Sequence, residues 1–226
     1  MLRERIPDSL SEFVRYLAAH PEAEASLPAL TELSQELGIS VAGLREQLEV
    51  ARALGLVDVR PRTGIKRLPY TFLPAVRLSL GYAMALDPNQ FQAFADLRKH
   101  VEMAYWHEAA AKLTDEDRSQ LKSLLQKAWS KLDGRPVQIP HEEHKQLHLL
   151  IYSRLENSFV SGILEAYWDA YEAIGLNVFT DYNHLRGVWQ YHQQMVDAIC
   201  SGDFDAGYRA LIEHADMLGD MLDQTK

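Results

Sequence analysis

Residues 28–68 read "PALTELSQELGISVAGLREQLEVARALGLVDVRPRTGIKRL", and the fold follows from this stretch. Two helical runs are separated by Gly38-Ile39-Ser40, a short turn in which Ser40 is placed to cap the second helix. That is helix-turn-helix spacing. Two β-prone stretches come next, "LVDVR" and "IKRL", joined by Pro61-Arg62-Thr63-Gly64. A hairpin with a basic tip beside a helix-turn-helix is a wing. Arg60, Arg62, Lys66 and Arg67 fall within eight residues that hold no acid. Contact with phosphate depends on such local charge rather than on the sum over the chain.

Upstream, a helix is expected around residues 8–19, then the loop "HPEAEASLP". Downstream, "LPYTFLP", with two prolines, reads as a linker. Beyond residue 75 the pattern is helical almost throughout. Asp87-Pro88 opens a helix, with proline where its missing N–H is tolerated. Thr114 to Asp117 form a capping box ahead of Leu121, Leu124 and Leu125. "LDGRP" is a break. Asn157 caps the next helix, "CSGD" is a turn, and Asp203 caps the last helix. The expected fold is mostly α: a winged helix-turn-helix over 1–68, a linker over 69–76, and an antiparallel bundle of six or seven helices over 77–222.

Composition supports this. The 226 residues are 47% hydrophobic, enough for a core and unlike a disordered chain. Net charge is −9, but residues 1–70 carry nine cations and ten acids, leaving −8 to the remainder. The single cysteine, Cys200, excludes an internal disulfide. With no signal-peptide pattern, that suits a reducing, cytoplasmic setting. No apolar run is long enough to span a membrane.

Residues 28–68 resemble the winged helix-turn-helix of GntR regulators. The matching residues are Leu27-Pro28, Glu32-Leu33, Glu36 to Ser40, Leu44-Arg45-Glu46, Leu48, Gly55-Leu56-Val57, Arg60-Pro61 and Gly64. The remainder resembles the all-helical FCD sensing domain of the FadR-type branch, through Arg98 and Glu102 in "LRKHVE", "TDED" at 114–117, the His144/His148 pair followed by Asn157, and His192 and His214. The resemblance implies that the second helix of the motif enters the major groove and reads base edges with its N-terminal residues. Thr31, Ser40, Val41, Gly43 and Arg45 are the candidates there. Arg60, Arg62, Thr63, Gly64 and Lys66 of the wing are the candidates for phosphates or the minor groove. The family often carries arginine and threonine early in the reading helix; here Val41 and Gly43 stand instead. Arg45 is left as the long donor able to bridge a guanine.

Within "HEEHKQLH" (141–148), His144 and His148 are four residues apart. Helical geometry stacks such residues, so two imidazoles on one helix can chelate one ion. His192 and His214 flank the "CSGD" turn, and an antiparallel pair of helices brings them to a similar height. Related sensing domains supply Asp, His, His and His; by position His144 replaces the aspartate. The resemblance therefore implies a divalent metal on His148, His192 and His214, with His144 either joining them in place of the aspartate or standing outside the ligand set; imidazole donors favour zinc or nickel. Arg98 and Glu102 are candidates for effector binding, Arg98 through a ligand carboxylate. The alternative for this pair is an i,i+4 salt bridge. Tyr105, Tyr152, Trp168, Tyr171 and Trp189 line a pocket or fill core. His20, His100, His107, His141 and His184 match nothing.

The preferred function is a non-enzymatic, ligand-responsive regulator, a homodimeric repressor of double-stranded operator DNA that senses a small carboxylate through its metal-containing domain. One alternative is a metal-dependent binding protein with weakened DNA specificity. Another is a zinc hydrolase, for which no HExxH motif occurs.

Overall fold

The computed structural model describes residues 9–21, 26–60, 64–174 and 182–223, and for 218–223 the backbone alone. The chain divides into two compact units, Met1–Leu78 and Ser79–Lys226.

In the first unit, α1 (Glu12–Ala19) starts at Ser11, whose hydroxyl accepts from the Val14 N–H. Helix α2 (Leu30–Leu37) ends at Gly38, whose φ of +66° is a left-handed cap that favours glycine. Ser40 then starts α3 (Val41–Ala53), its Oγ accepting from the Gly43 N–H at 3.1 Å. Leu33, Leu44, Leu48 and Ala51 bury one face of this pair against Phe13 and Leu17 of α1. Strands β1 (Val57–Arg60) and β2 (Gly64–Arg67) pair antiparallel, with Val57 opposite Arg67 and Arg60 opposite Gly64. Val57 and Ile65 close the same core.

Helix α4 (Leu73–Leu86) begins within the stretch read above as linker, so residues 73–76 are helical. Proline at 74, in its first turn, is compatible with that start, because the first amides of a helix lack partners anyway. The second unit continues with α5 (Gln90–Lys112), α6 (Asp115–Leu132), α7 (His141–Ile151), α8 (Ser158–Ala173), α9 (Tyr182–Ser201) and α10 (Phe204–Asp223). With α4 that makes seven helices beyond residue 72 among the described residues, and no strand there.

Most caps fall where the local signals put them. Thr114 and Asp117 make the reciprocal box at the start of α6. Asn157 Oδ1 accepts from the N–H groups of Phe159 and Val160, and Asp203 Oδ1 from that of Ala206. One boundary differs. Helix α5 starts at Gln90, because Asp87 spends its carboxylate on the N–H of Asn89 in a turn before the helix. Helix α7 ends at Ile151, so Leu155 lies beyond it, yet is still buried.

The main core is built from α5 to α10, with Trp106, Leu121, Leu132, Leu147, Ile151, Leu164, Met195, Ile199 and Leu211 among its members. Gly202, at φ +82°, allows the tight turn by which α10 folds back on α9. Trp106 fills the space over Gly207, where a Cβ would lie 2.5 Å from the indole ring, and its Nε1 donates to the carbonyl of Phe204. This contact locks α5 onto the start of α10. A second cluster joins Leu80 of α4, Phe91 of α5 and Tyr167, Trp168 and Tyr171 of α8. The packing of α7, α9 and α10 brings their inward faces together, and that is where the histidines lie.

Candidate functional site

His144 and His148 share the inner face of α7, His192 lies on α9 and His214 on α10. All four are buried, His192 and His214 completely. One ring nitrogen from each lies within 4.8 Å of the others. His148 Nε2 and His192 Nε2 are 3.0 Å apart. Two nitrogens each about 2.1 Å from one ion stand roughly 3.0–3.4 Å apart, so this spacing suits chelation. Nε2 of His144 and both ring nitrogens of His214 are buried without a hydrogen-bond partner among the described residues. Buried polar atoms are rarely left so, and orphaned imidazole nitrogens facing one another are what a cation would satisfy.

Burial holds the pKa of His144, His192 and His214 well below the usual histidine range, and the neighbouring imidazoles and Arg98 push the same way. Their rings are therefore neutral near pH 7, the state in which imidazole is a ligand. His148 is also lowered by burial, but Glu102 opposes the shift.

Arg98 and Glu102 are neighbours along α5 and both are buried, at 3% and 1% exposure. Arg98 Nη2 donates to Glu102 Oε2 at 2.9 Å. Burial works to raise the Glu102 pKa, yet Arg98 and His148 outweigh it and keep the carboxylate charged. Nδ1 of His148 lies 3.1 Å from Glu102 Oε1 and 2.8 Å from Arg98 Nη2. It cannot donate to one and accept from the other at once. With Nε2 as the atom that would hold an ion, the proton would sit on Nδ1, which would donate to Glu102. That is how carboxylates orient metal-binding histidines. Tyr152 fixes the same turn by donating to the Glu102 carbonyl at 3.0 Å.

Glu143, beside His144, adds no charge to the cluster; its Oε2 accepts from Lys131 Nζ at 2.7 Å. The donor set is thus four neutral imidazoles, and it fits a borderline divalent ion such as zinc or nickel. His144, His148, His192 and His214 would hold it, and the ion would supply a Lewis-acidic centre for an anionic ligand.

Two donors lie beside the cluster; Arg98 is a candidate from sequence, whereas Trp168 is not evident there as a donor. Trp168 stands edge-on to His144 with ring centroids 4.6 Å apart, and its Nε1 is buried without a partner among the described residues. Arg98 Nε is in the same state, while its guanidinium lies over the Tyr167 ring at 4.6 Å. Trp189 is core beside the histidines, its ring 4.7 Å from that of His192, whereas Tyr171 is core in the second cluster, against Trp168 and Tyr167. The remaining described histidines lie outside the cluster: His107 pairs with Asp205 at 2.9 Å, and His20 and His100 contact backbone carbonyls.

In the first unit, Arg45 is exposed on α3, and Val41 and Gly43 are half-exposed. Thr31 is exposed in the first turn of α2. The Ser40 hydroxyl is engaged in capping. On the wing, Gly64 and Lys66 are exposed, and Gly64 takes a φ of +79°. Arg60 pairs with Asp58 at 2.7 Å but stays largely open to solvent. Pro61, Arg62 and Thr63 lie outside the described residues. Arg67, counted with the basic run from sequence, donates to the carbonyls of Leu17 and His20 at the end of α1. A cation at a helix C-terminus satisfies carbonyls that lack internal partners, so Arg67 ties the wing to α1.

A winged helix-turn-helix followed by an all-helical unit with a buried histidine cluster defines a class of two-part regulator. Residues 93–217 match the FCD domain model. The chain is 25% identical over 199 residues to the uncharacterized HTH-type transcriptional regulator YieP of Escherichia coli, spanning 87% of this chain and 85% of that one. It is also 25% identical over 224 residues to the putative L-lactate dehydrogenase operon regulatory protein of the same organism, spanning 95% and 85%. Among solved structures it resembles a GntR protein of Streptococcus agalactiae, with a TM-score of 0.68, 16% identity and 92% and 96% of the two chains covered. A second, McbR/YncC of E. coli, gives a TM-score of 0.50 at 20% identity, with 90% and 89% covered. This chain belongs to the FCD-domain family and is a GntR-type transcriptional regulator. No described helix is long and apolar enough to cross a membrane.

Proposed function

We propose that this chain is a cytoplasmic, ligand-responsive repressor that binds operator DNA as a homodimer and senses a small carboxylate at a metal held by His144, His148, His192 and His214. The single observation that carries this reading is the convergence of four buried, neutral imidazoles, with orphaned ring nitrogens on His144, His192 and His214 among the described residues. In a chain with no metal role, four polar rings in one core would be costly.

Glu102 orients His148, and Arg98 and Trp168 offer the effector their unpaired N–H groups. The metal and Arg98 both attract an anion, so a carboxylate is the ligand class the site selects. A relative named for control of an L-lactate dehydrogenase operon makes L-lactate an early compound to test. Two copies are inferred because paired half-sites are read by paired modules. Effector binding biases the arrangement of the readers and so changes operator affinity. The reader contributes Thr31, Val41, Gly43 and Arg45, with Ser40 shaping its start. The wing contributes Arg60, Arg62, Thr63, Gly64 and Lys66. The domain division behind this reading is a reader over 1–68 and a sensor over 77–222.

The test is a thermal-shift screen of zinc-loaded protein against small carboxylates, L-lactate first, followed by gel shifts with the upstream DNA of its own operon. A true effector at one hundred times its Kd adds about 2.7 kcal/mol of stability and weakens the gel shift. His148→Ala is expected to lose the thermal response. A carboxylate response that persists unchanged in metal-free His148→Ala protein would detach sensing from the metal and overturn the proposal.

A further inference from the structure

The solvent face of α3 is not the cationic surface that a DNA-reading helix usually presents. Ala42, Arg45, Glu46 and Glu49 are all exposed, and their spacing of three, four and seven residues places them on one side of the helix. The opposite side carries the buried Leu44, Leu48 and Ala51. Glu49 is neutralised by Arg52 at 2.6 Å. Glu46 has no ion-pair or hydrogen-bond partner among the described residues, and Arg45 beside it has none either. The reading face therefore offers one free cation and one free carboxylate, adjacent in sequence.

Docking such a face into the major groove takes the Glu46 carboxylate out of bulk water near two rows of phosphates. A desolvated carboxylate without a donor is strongly unfavourable. Few donors exist there. Guanine N7 and O6 and thymine O4 are acceptors, and the groove's amino donors are cytosine N4 and adenine N6. Glu46 thus tolerates a base that presents an amino group and penalises one that presents an acceptor. Arg45 has the reverse preference, for the two acceptors of guanine.

We propose that Glu46 is a specificity-determining residue of the DNA reader, selecting an amino-bearing base, cytosine first, at one position of each half-site, beside the guanine contacted by Arg45. The free carboxylate also suppresses binding to arbitrary DNA, because no phosphate contact compensates it. This gives the reader selectivity although Val41 and Gly43 supply no hydrogen-bonding side chain. The inference rests on α3 being the reading helix.

The test uses the full-length protein and selection from a pool of random duplexes, run in parallel for wild type, Glu46→Gln and Arg45→Ala. Position 46 is exposed, and unchanged melting of Glu46→Gln confirms its fold. Wild type should enrich a half-site with cytosine near a guanine. Changing that cytosine to guanine should weaken binding roughly tenfold or more. Glutamine both donates and accepts, and pairs bidentately with adenine. Glu46→Gln should therefore move the preference at that one position toward adenine and keep the guanine, whereas Arg45→Ala should lose the guanine. If wild type enriches a motif and Glu46→Gln enriches the same one, with affinity raised equally on all sequences or not at all, Glu46 is a mere surface charge and the proposal fails. If wild type enriches nothing, the reading role of α3 itself fails.

Discussion

Replacing Glu102 by glutamine removes one negative charge from a pair that the fold has almost wholly withdrawn from water. Arg98 is 3% exposed and Glu102 1%, and the carboxylate serves both Arg98 Nη2 at 2.9 Å and His148 Nδ1 at 3.1 Å. The amide still accepts one hydrogen bond, but it leaves the guanidinium as an uncompensated buried charge. Breaking such a pair from one side typically costs about 3–5 kcal/mol. Trp106, Trp129, Trp168 and Trp189 all lie in the second unit, so tryptophan fluorescence during urea unfolding reports that unit alone. Metal-free Glu102→Gln should lose stability of that order. A double variant, Arg98→Met with Glu102→Leu, should recover most of it, since neither charge is then left alone. On the metal side, loss of an orienting carboxylate typically weakens affinity about 10- to 100-fold, readable by competition with a chromophoric chelator. A stability change under about 1 kcal/mol, or a double variant as unstable as the single one, would refute the account of this pair.

Other consequences are simpler. Gly207→Ala puts a methyl group 2.5 Å from the Trp106 ring and should destabilise the helical unit by about 1–3 kcal/mol; an unchanged urea midpoint would mean that α5 and α10 are not locked there. The metal-free chain should lose stability as pH falls below the ordinary histidine value of 6.5. The unfolded imidazoles take up protons in that range, while burial keeps His144, His192 and His214 neutral in the fold. The unfolded state then binds more protons, and the loss approaches about 1.4 kcal/mol per pH unit for each histidine. Urea midpoints measured from pH 7.5 to 5.5 check this, and a flat profile would contradict it. Arg67→Met should lower the melting temperature of the winged unit, because two carbonyls at the end of α1 lose their donor; a reduced salt dependence of DNA binding with unchanged melting would instead make Arg67 a phosphate contact.

Much of this architecture was legible in the sequence because its signals are local. Ser40, Thr114 with Asp117, Asn157 and Asp203 each cap a helix within three residues, so propensity and spacing suffice to find them. His144 and His148 were paired by the helical repeat, and His192 and His214 by their distance from the turn at Gly202. What escaped depends on tertiary packing. Asp117 is held by two bonds from Arg154, 37 residues away, which turn a helix cap into a tie between α6 and the end of α7. Arg67 reaches carbonyls 47 and 50 residues earlier, so its charge looked free in the sequence when the fold had already used it. Trp168 at helical spacing reads more readily as core than as pocket; only the packing of α8 against α7 shows an indole N–H left without a partner among the described residues near His144. The unpaired state of Glu46 is likewise a negative fact that sequence alone does not disclose.

The central claim is that four imidazoles from α7, α9 and α10 form one cation site. Calorimetric titration of the purified, chelator-treated chain with zinc at neutral pH tests it most directly, alongside His192→Ala and His214→Ala. One ion per chain for wild type, with at least a hundredfold weaker binding in either variant, is the predicted result. Absence of binding in wild type, or equal affinity once those histidines are removed, would contradict it.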